Sequence, residues 1–198
     1  MAGSSMDTYL NDHLGGAKFG IDLAEQIRDR HKGTPLGDVM ASMASEIELD
    51  RQSLLGLMER MGTSPNPVKQ ATGWLAEKVS RVKFATTMSD DDGAFMALET
   101  LAMGVEGKAS MWRALKEVAG EYPSLATTNL DELIDRAEAQ AAILERERLA
   151  AGRQALSNDA TAPSDDPEAT TPKRVNPYSA ENPPTSPGRP ASESAFKR

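Results

Sequence analysis

Two stretches of the chain carry apolar residues at the three- and four-residue spacing of an amphipathic helix, and each has one charge at its middle. The first stretch, over about 35–61, contains Met40, Met43, Ile47, Asp50, Leu54, Leu57 and Met61. The second, over about 93–119, contains Leu98, Leu101, Val105, Lys108, Trp112 and Leu115. Because Asp50 and Lys108 fall near the half-height of their helices, they can meet whichever way the helices run. The sequence therefore predicts a helical fold with an ionic layer in its core.

Helical patterns also occur outside these two stretches. We predict a first helix over about 7–31, a shorter one over about 68–84, and a last one that starts at Asn129, whose spacing to Glu132 matches an Asn-type capping box. No stretch alternates polar and apolar residues as a strand would. The predicted fold class is therefore all-α, an antiparallel four-helix bundle with an extra shorter helix.

The C-terminal segment 157–198 differs from the rest in composition. It holds eight of the twelve prolines and many Ser and Thr residues, and its large apolar residues are Val175, Tyr178 and Phe196. Such a segment cannot bury enough surface to offset its chain entropy. We predict two parts, a helical bundle over 1–156 and a disordered Pro/Ser/Thr-rich tail over 157–198, which acts either as a spacer or as a recognition segment.

Charge and composition narrow the classes of partner. The net charge of -8 comes mostly from the part predicted to fold, and an acidic surface repels phosphate backbones and anionic lipid, so we expect neither nucleic-acid nor membrane binding. A local basic patch at Lys69, Lys78, Arg81 and Lys83 is the alternative. The chain has no cysteine, no apolar run near the ~20 residues of a membrane helix and no visible signal peptide, which predicts a soluble cytoplasmic protein.

A four-helix bundle raises the question of a di-iron site, which uses inward glutamates and Glu-x-x-His pairs. The candidate metal-binding carboxylates are Glu46, Asp50, Glu99 and Glu106. The chain's two histidines do not fit the pattern, because Leu10 stands three residues before His13 and Arg28 three residues before His31. This absence of Glu-x-x-His argues against a metal site of the ferritin type.

Lys108 suggests a different use for the same carboxylates. Its ammonium can neutralise Asp50, with Glu106 and Glu46 as further candidates, while Gln140 at the same height can donate or accept a hydrogen bond. Such a layer would fix helix register, as a polar core residue does in coiled coils. The alternative is that Lys108 extends past the bundle into water and Asp50 is partly hydrated.

Two glycines interrupt the helix that carries Lys108. Gly104 and Gly107 lie inside a helical pattern rather than in a loop between strand and helix, so a phosphate-binding loop is not indicated. We expect them to permit close packing against another helix.

Three stretches carry a resemblance to a known family: YLNDHLGGAKFGIDLAEQIRDRHKGTPLGDVM, ASEIELDRQSLLGLMERMG and LETLAMGVEGKASMWRAL. They are similar to bacterial ferritin-like bundle proteins, including stress-associated ferritin-like proteins and actinobacterial relatives. The resemblance covers about 7–156 and rests on the order of the helices and their general residue pattern. It implies an antiparallel four-helix bundle that is often dimeric. Where metal-binding members have Glu followed by His, this chain has Glu106, Gly107 and Lys108. An ammonium there would repel the cation, which argues against iron storage.

Together these patterns predict a metal-free ferritin-like bundle that acts as a protein-interaction or structural module, with no catalytic residue and no cofactor. The expected partner is another protein or a second copy in a homodimer. The alternative is a di-metal carboxylate protein in iron or oxidative-stress handling, with iron held by the four carboxylates named above. A small-ligand pocket between helices is a third possibility.

Overall fold

A computed structural model of the chain describes residues 4–66 and 90–161, with side chains over 4–66 and 93–157. These residues form helices without any strand: α1 (Ser5–Arg30), α2 (Pro35–Arg60), α3 (Asp90–Glu117), α4 (Pro123–Ala126) and α5 (Leu130–Thr161), with a 3-10 turn at Ala119–Glu121. The all-α prediction is confirmed for this part. The predicted helix over 68–84, the basic patch and the tail from residue 162 lie outside the described residues.

The four long helices were predicted to within about three residues at each described end, except at the end of α5. That helix continues to Thr161, five residues beyond the predicted domain boundary. None of the helices in the described ranges combines the length and apolar character needed to cross a bilayer.

Local capping interactions fix where α1 and α2 begin. Ser4 and Asp7 form a capping box, in which the Asp7 N–H donates to Ser4 Oγ at 3.1 Å and the Ser4 N–H donates to the Asp7 carboxylate at 2.9 Å. Thr34 caps α2 by accepting the Gly37 N–H at 3.3 Å. Gly33, at φ +81°, makes the turn between the two helices.

The pair α1–α2 is antiparallel and tied at both ends. At the turn, a Cβ on Gly37 would lie 2.3 Å from the His31 carbonyl oxygen, so only glycine permits this approach. At the other end, Thr63 Oγ1 donates to Asp7 Oδ1 at 2.6 Å and the Asn66 N–H donates to Asn11 Oδ1 at 2.6 Å. These contacts hold the start of α1 beside the end of α2.

The pair α3–α5 is also antiparallel. Arg113 pairs with Glu138 at 2.8 Å, while Glu99, earlier in α3, pairs with Arg148, later in α5, at 3.4 Å. The two pairs pack together through α1 against α3 and α2 against α5. Since α2 meets α5 at Asp50–Arg136, the middle of α2 lies beside the N-terminal part of α5.

The buried core consists of two apolar clusters at different heights. On α2 one cluster ends at Ile47 and the other begins at Leu54, and on α3 the corresponding limits are Val105 and Ala109. The level between the clusters is occupied by polar groups from α2, α3 and α5.

Candidate functional site

Asp50 is the centre of the polar level, and both of its carboxylate oxygens are engaged. It lies in the middle of α2 and is 2% exposed. Oδ2 forms an ion pair with Lys108 Nζ and accepts a hydrogen bond from Gln140 Nε2 at 3.1 Å. Oδ1 accepts from Arg136 Nε at 2.6 Å, and Arg136 Nη2 lies at the same distance. Two protein cations thus contact one buried carboxylate.

Gln140 links the remaining members of this polar level, which we call the ionic layer: Glu46, Asp50, Lys108, Arg136 and Gln140. Its fully buried amide accepts from Lys108 Nζ through Oε1 and donates from Nε2 to Glu46 Oε2 at 3.0 Å. A glutamine suits this position because it supplies both a donor and an acceptor.

The structure brings together four of the five residues assigned to the layer from sequence: Asp50, Lys108, Glu46 and Gln140. The fifth, Glu106, lies exposed on α3. It precedes Lys108 by two residues, or about 200° around the helix, and therefore cannot share its face.

Arg136 was missed in the sequence analysis. It stands one turn before Gln140 on α5, so the two side chains are neighbours on the helix surface. Its side chain is 28% exposed, and its guanidinium contacts the buried Asp50 carboxylate through Nε and Nη2. The charges predicted for the layer could have indicated this residue, because Asp50 and Glu46 carry two negative charges and Lys108 carries only one positive charge, which leaves a second cation to be found.

The charges of the ionic layer balance as two carboxylates against two cations. Burial lowers the pKa of Lys108 below its ordinary value because the ammonium is removed from water, and the neighbouring Arg136 lowers it further. Asp50 opposes both effects by attracting the ammonium. With an exposed fraction of 13%, the Lys108 side chain is neither fully buried nor extended into solvent.

Of the carboxylates considered for a metal site, Glu46 and Asp50 lie near each other, because both accept a hydrogen bond from Gln140 Nε2, whereas Glu99 and Glu106 take no part in the ionic layer. Glu99 pairs with Arg148, whose guanidinium also lies 5.9 Å from the centre of the Phe95 ring. Glu106 is exposed, and Asp50 is already neutralised. Among the described side chains, over 4–66 and 93–157, no group of three His, Asp or Glu residues is placed to hold a metal ion. The residues present do not fit a ferritin-type iron site.

A cavity of about 340 Å³ borders the ionic layer between α1, α2 and α3. Asp50 and Lys108 reach its wall, and most of the remaining lining is apolar, including Leu54, Leu101 and Trp112. On α1, His13 lines the cavity and packs against the edge of Tyr9, with ring centres 4.7 Å apart. Burial lowers the pKa of His13, while the charge of Asp12 acts in the opposite direction.

The glycines of α3 contribute to this cavity rather than to helix contact. A Cβ placed on Gly104 or Gly107 meets no atom of the described residues within 4 Å. The expectation of close helix packing at these two positions is therefore wrong for the described part of the chain. Their missing side chains leave space at the level of the ionic layer.

Comparisons of the chain with protein-family models, with curated proteins and with solved structures found no match.

Proposed function

We propose that the chain is a metal-free antiparallel four-helix bundle of the ferritin-like type that serves as a protein-interaction or structural module. The single observation that supports this most is the state of Asp50. A carboxylate that ligates a metal must offer a free oxygen to the cation, whereas both oxygens of Asp50 are bound by Lys108 and Arg136. Lys108 and Arg136 supply the positive charge next to Asp50 that a metal ion would otherwise supply.

The arrangement of the helices supports the bundle part of the proposal. The antiparallel pairs α1–α2 and α3–α5 pack side by side, and each of the four long helices contributes to both apolar clusters. Central polar residues between two apolar layers are also the place where ferritin-like proteins build their metal sites. Here that place holds a set of ion pairs, so we assign it a role in register and specificity.

An exposed apolar pair on α5 supports the interaction part of the proposal. Leu149 and Leu156 are 50% and 63% exposed and are seven residues apart, which places them on the same face of the helix. A second copy of the chain is the simplest partner, since two such faces can pack against each other in a symmetric dimer.

Metal content tests the first half of the proposal. Protein purified without a histidine tag should contain no stoichiometric iron, and addition of Fe²⁺ in air should produce no ferric absorbance beyond that of a protein-free control. Lys108→Met is the informative variant, because it removes one of the two cations on Asp50. Binding of one or more iron ions per wild-type chain, with oxidation faster than in buffer, would contradict a metal-free bundle.

Sedimentation equilibrium tests the self-association half. If α5 forms the contact, wild type should be dimeric at micromolar concentration and Leu149→Glu/Leu156→Glu should be monomeric. Leu49→Glu is the matched control, because Leu49 is 54% exposed but lies on α2. A monomeric wild type at 100 µM, or a dimer unaffected by the α5 changes, would exclude this contact.

A further inference from the structure

The cavity beside the ionic layer is long and narrow. Its lining on α1 runs from Tyr9 to Gly20, a distance of about 16 Å along the helix axis. On α3 the lining runs from Thr100 to Trp112, over a similar length. A volume of about 340 Å³ spread over about 16 Å gives a mean cross-section of about 20 Å². Such a space suits a slender molecule, such as an alkyl chain, better than a compact one.

The cavity reaches the protein surface at Tyr9 and Asp12. Both residues line it, and both are exposed. Gly20 lies about 12 Å further along α1, and there the wall includes Ile47 and Leu101, which belong to the buried core. The cavity therefore has a polar end at the surface and a mostly apolar end inside the bundle.

Asp12 is the one ionised side chain of the cavity wall that lacks a counter-ion within the described part of the chain. The other ionised groups of the wall are paired. Asp50 and Lys108 form an ion pair with each other, and Arg51 pairs with Glu48 at 3.0 Å. The wall thus carries one negative charge that is not balanced, and it lies at the surface end.

The basic residues nearest to Asp12 on α1 do not neutralise it. Lys18 pairs with Asp22, and burial lowers the pKa of His13, so its imidazole is uncharged at pH 7.5. The aromatic ring of Tyr9, in contact with His13, lies one helical turn from the Asp12 carboxylate. A carboxylate attracts an ammonium group, and so does the face of an aromatic ring.

We propose that this cavity binds a slender apolar molecule with one ammonium end, such as an alkylamine that extends about 12 Å from Asp12 toward Gly20. The apolar chain lies between α1 and α3 and supplies most of the affinity. The ammonium pairs with Asp12 beside Tyr9, so Asp12 selects the charge of the ligand. This binding site is independent of the proposed module function, since neither iron content nor the α5 contact bears on it.

The test uses three probes that share one octyl chain: octylammonium, octanol and octanoate. Calorimetric titration into the full-length wild-type chain at pH 7.5 measures their affinities. Octylammonium should bind about two- to fivefold more tightly than octanol, the ratio expected from one partly exposed ion pair, and octanoate should bind more weakly than octanol. In a ¹⁵N-labelled sample, the amides of Gly16 and Gly104 should shift saturably, whereas that of Gly33, in the turn between α1 and α2, should not.

Two substitutions separate the charge from the space. Asp12→Asn should remove the preference for octylammonium over octanol. Its control is Glu106→Gln, which makes the same change in net charge at an exposed position of α3 outside the cavity. Gly104→Leu places a side chain where a Cβ meets no described atom and should weaken octylammonium and octanol alike by about tenfold, as expected if two or more methylenes lose their apolar contacts. Gly56→Leu, at a helical glycine of α2 outside the cavity, is its control.

Several results would overturn the proposal. They are absence of saturable binding by every probe up to 1 mM, binding of octanol or octanoate as tight as that of octylammonium, an ammonium preference that persists in Asp12→Asn, loss of that preference in Glu106→Gln as well, or unchanged affinities in folded Gly104→Leu. The probe comparison needs no variant and Asp12 is exposed, so these two measurements decide the question even if Gly104→Leu fails to fold.

Discussion

Removal of the Asp50 carboxylate should destabilise the fold more than removal of the Lys108 ammonium. In Asp50→Ala, the cations Lys108 and Arg136 remain side by side, with Glu46 as the one carboxylate left in the ionic layer. In Lys108→Met, Asp50 keeps Arg136 and Gln140 as partners, and the new side chain packs on the neighbouring apolar clusters. The two ends of one ion pair are thus unequal.

The sizes of the two losses follow from burial. Breaking a buried pair by removing one partner costs about 3–5 kcal/mol. Lys108 and Arg136 are 13% and 28% exposed and can turn partly toward water, so Asp50→Ala should fall near the lower limit, about 3 kcal/mol. Lys108→Met removes the hydrogen bonds that Nζ donates to Asp50 and Gln140. Because Asp50 keeps Arg136 as its counter-ion and the methionine side chain is apolar, about 1–2 kcal/mol is expected.

Urea and thermal unfolding measure both losses. At about 2–4 °C per kcal/mol for a domain of this size, Asp50→Ala should melt about 6–12 °C below wild type and Lys108→Met about 2–8 °C below it. Glu138→Ala is the control, because its pair with Arg113 is half exposed and should contribute at most about 1 kcal/mol. If both core variants melt within a degree or two of wild type, or if Lys108→Met is the less stable one, the reasoning is refuted.

Three further predictions concern α1, α2 and α3. Burial holds the pKa of His13 below its ordinary value of 6.5, so the unfolded chain binds a proton on this residue more readily than the folded chain does. The free energy of unfolding should therefore be highest above pH 6.5 and should fall as the pH drops below that value. Urea unfolding between pH 7 and 5 should show a weaker pH dependence for His13→Gln than for wild type. Gly37→Ala should lower the free energy of unfolding by about 1–3 kcal/mol, because its Cβ would lie 2.3 Å from the His31 carbonyl oxygen. Gly104→Ala, whose Cβ meets no described atom, should raise it by up to about 1 kcal/mol. Urea unfolding measures both, and equal effects would contradict the close approach described at the turn between α1 and α2. Thr34→Ala should cost about 1 kcal/mol by loss of the α2 cap, measured in the same way, and an unchanged midpoint would argue against that cap.

The three- and four-residue spacing of apolar residues was enough to predict the long helices and most members of the ionic layer. Asp50 and Lys108 interrupt regular apolar rows, and Gln140 occupies the corresponding place on the last helix, so their convergence required no knowledge of helix direction. Glu46 lies one turn before Asp50 and shares its face. Helical periodicity also excludes Glu106 from the ionic layer, because it stands two residues before Lys108 and so lies on another face of the helix. Its negative charge alone had made it a candidate.

The rest of the site depends on features that a periodic pattern does not carry. Arg136 joins the layer because its long side chain extends from a partly exposed position to Asp50, and residue spacing alone does not specify how far such a side chain extends. The cavity depends on how far α1 and α3 stand apart where both have small residues. In the sequence, Gly104 and Gly107 indicate that no side chains fill this level of α3. That observation is compatible both with close packing of another helix and with empty space.

The coupling between Asp50 and Lys108 tests the central claim most directly. A double-mutant cycle with Asp50→Asn, Lys108→Met and the combined variant, followed by urea unfolding, isolates their mutual interaction from the effect of each substitution alone. The ionic layer described here predicts a coupling free energy of about 2 kcal/mol, because the carboxylate is buried and the ammonium contacts it directly. A coupling below about 0.5 kcal/mol would contradict a buried ion pair at the centre of the fold.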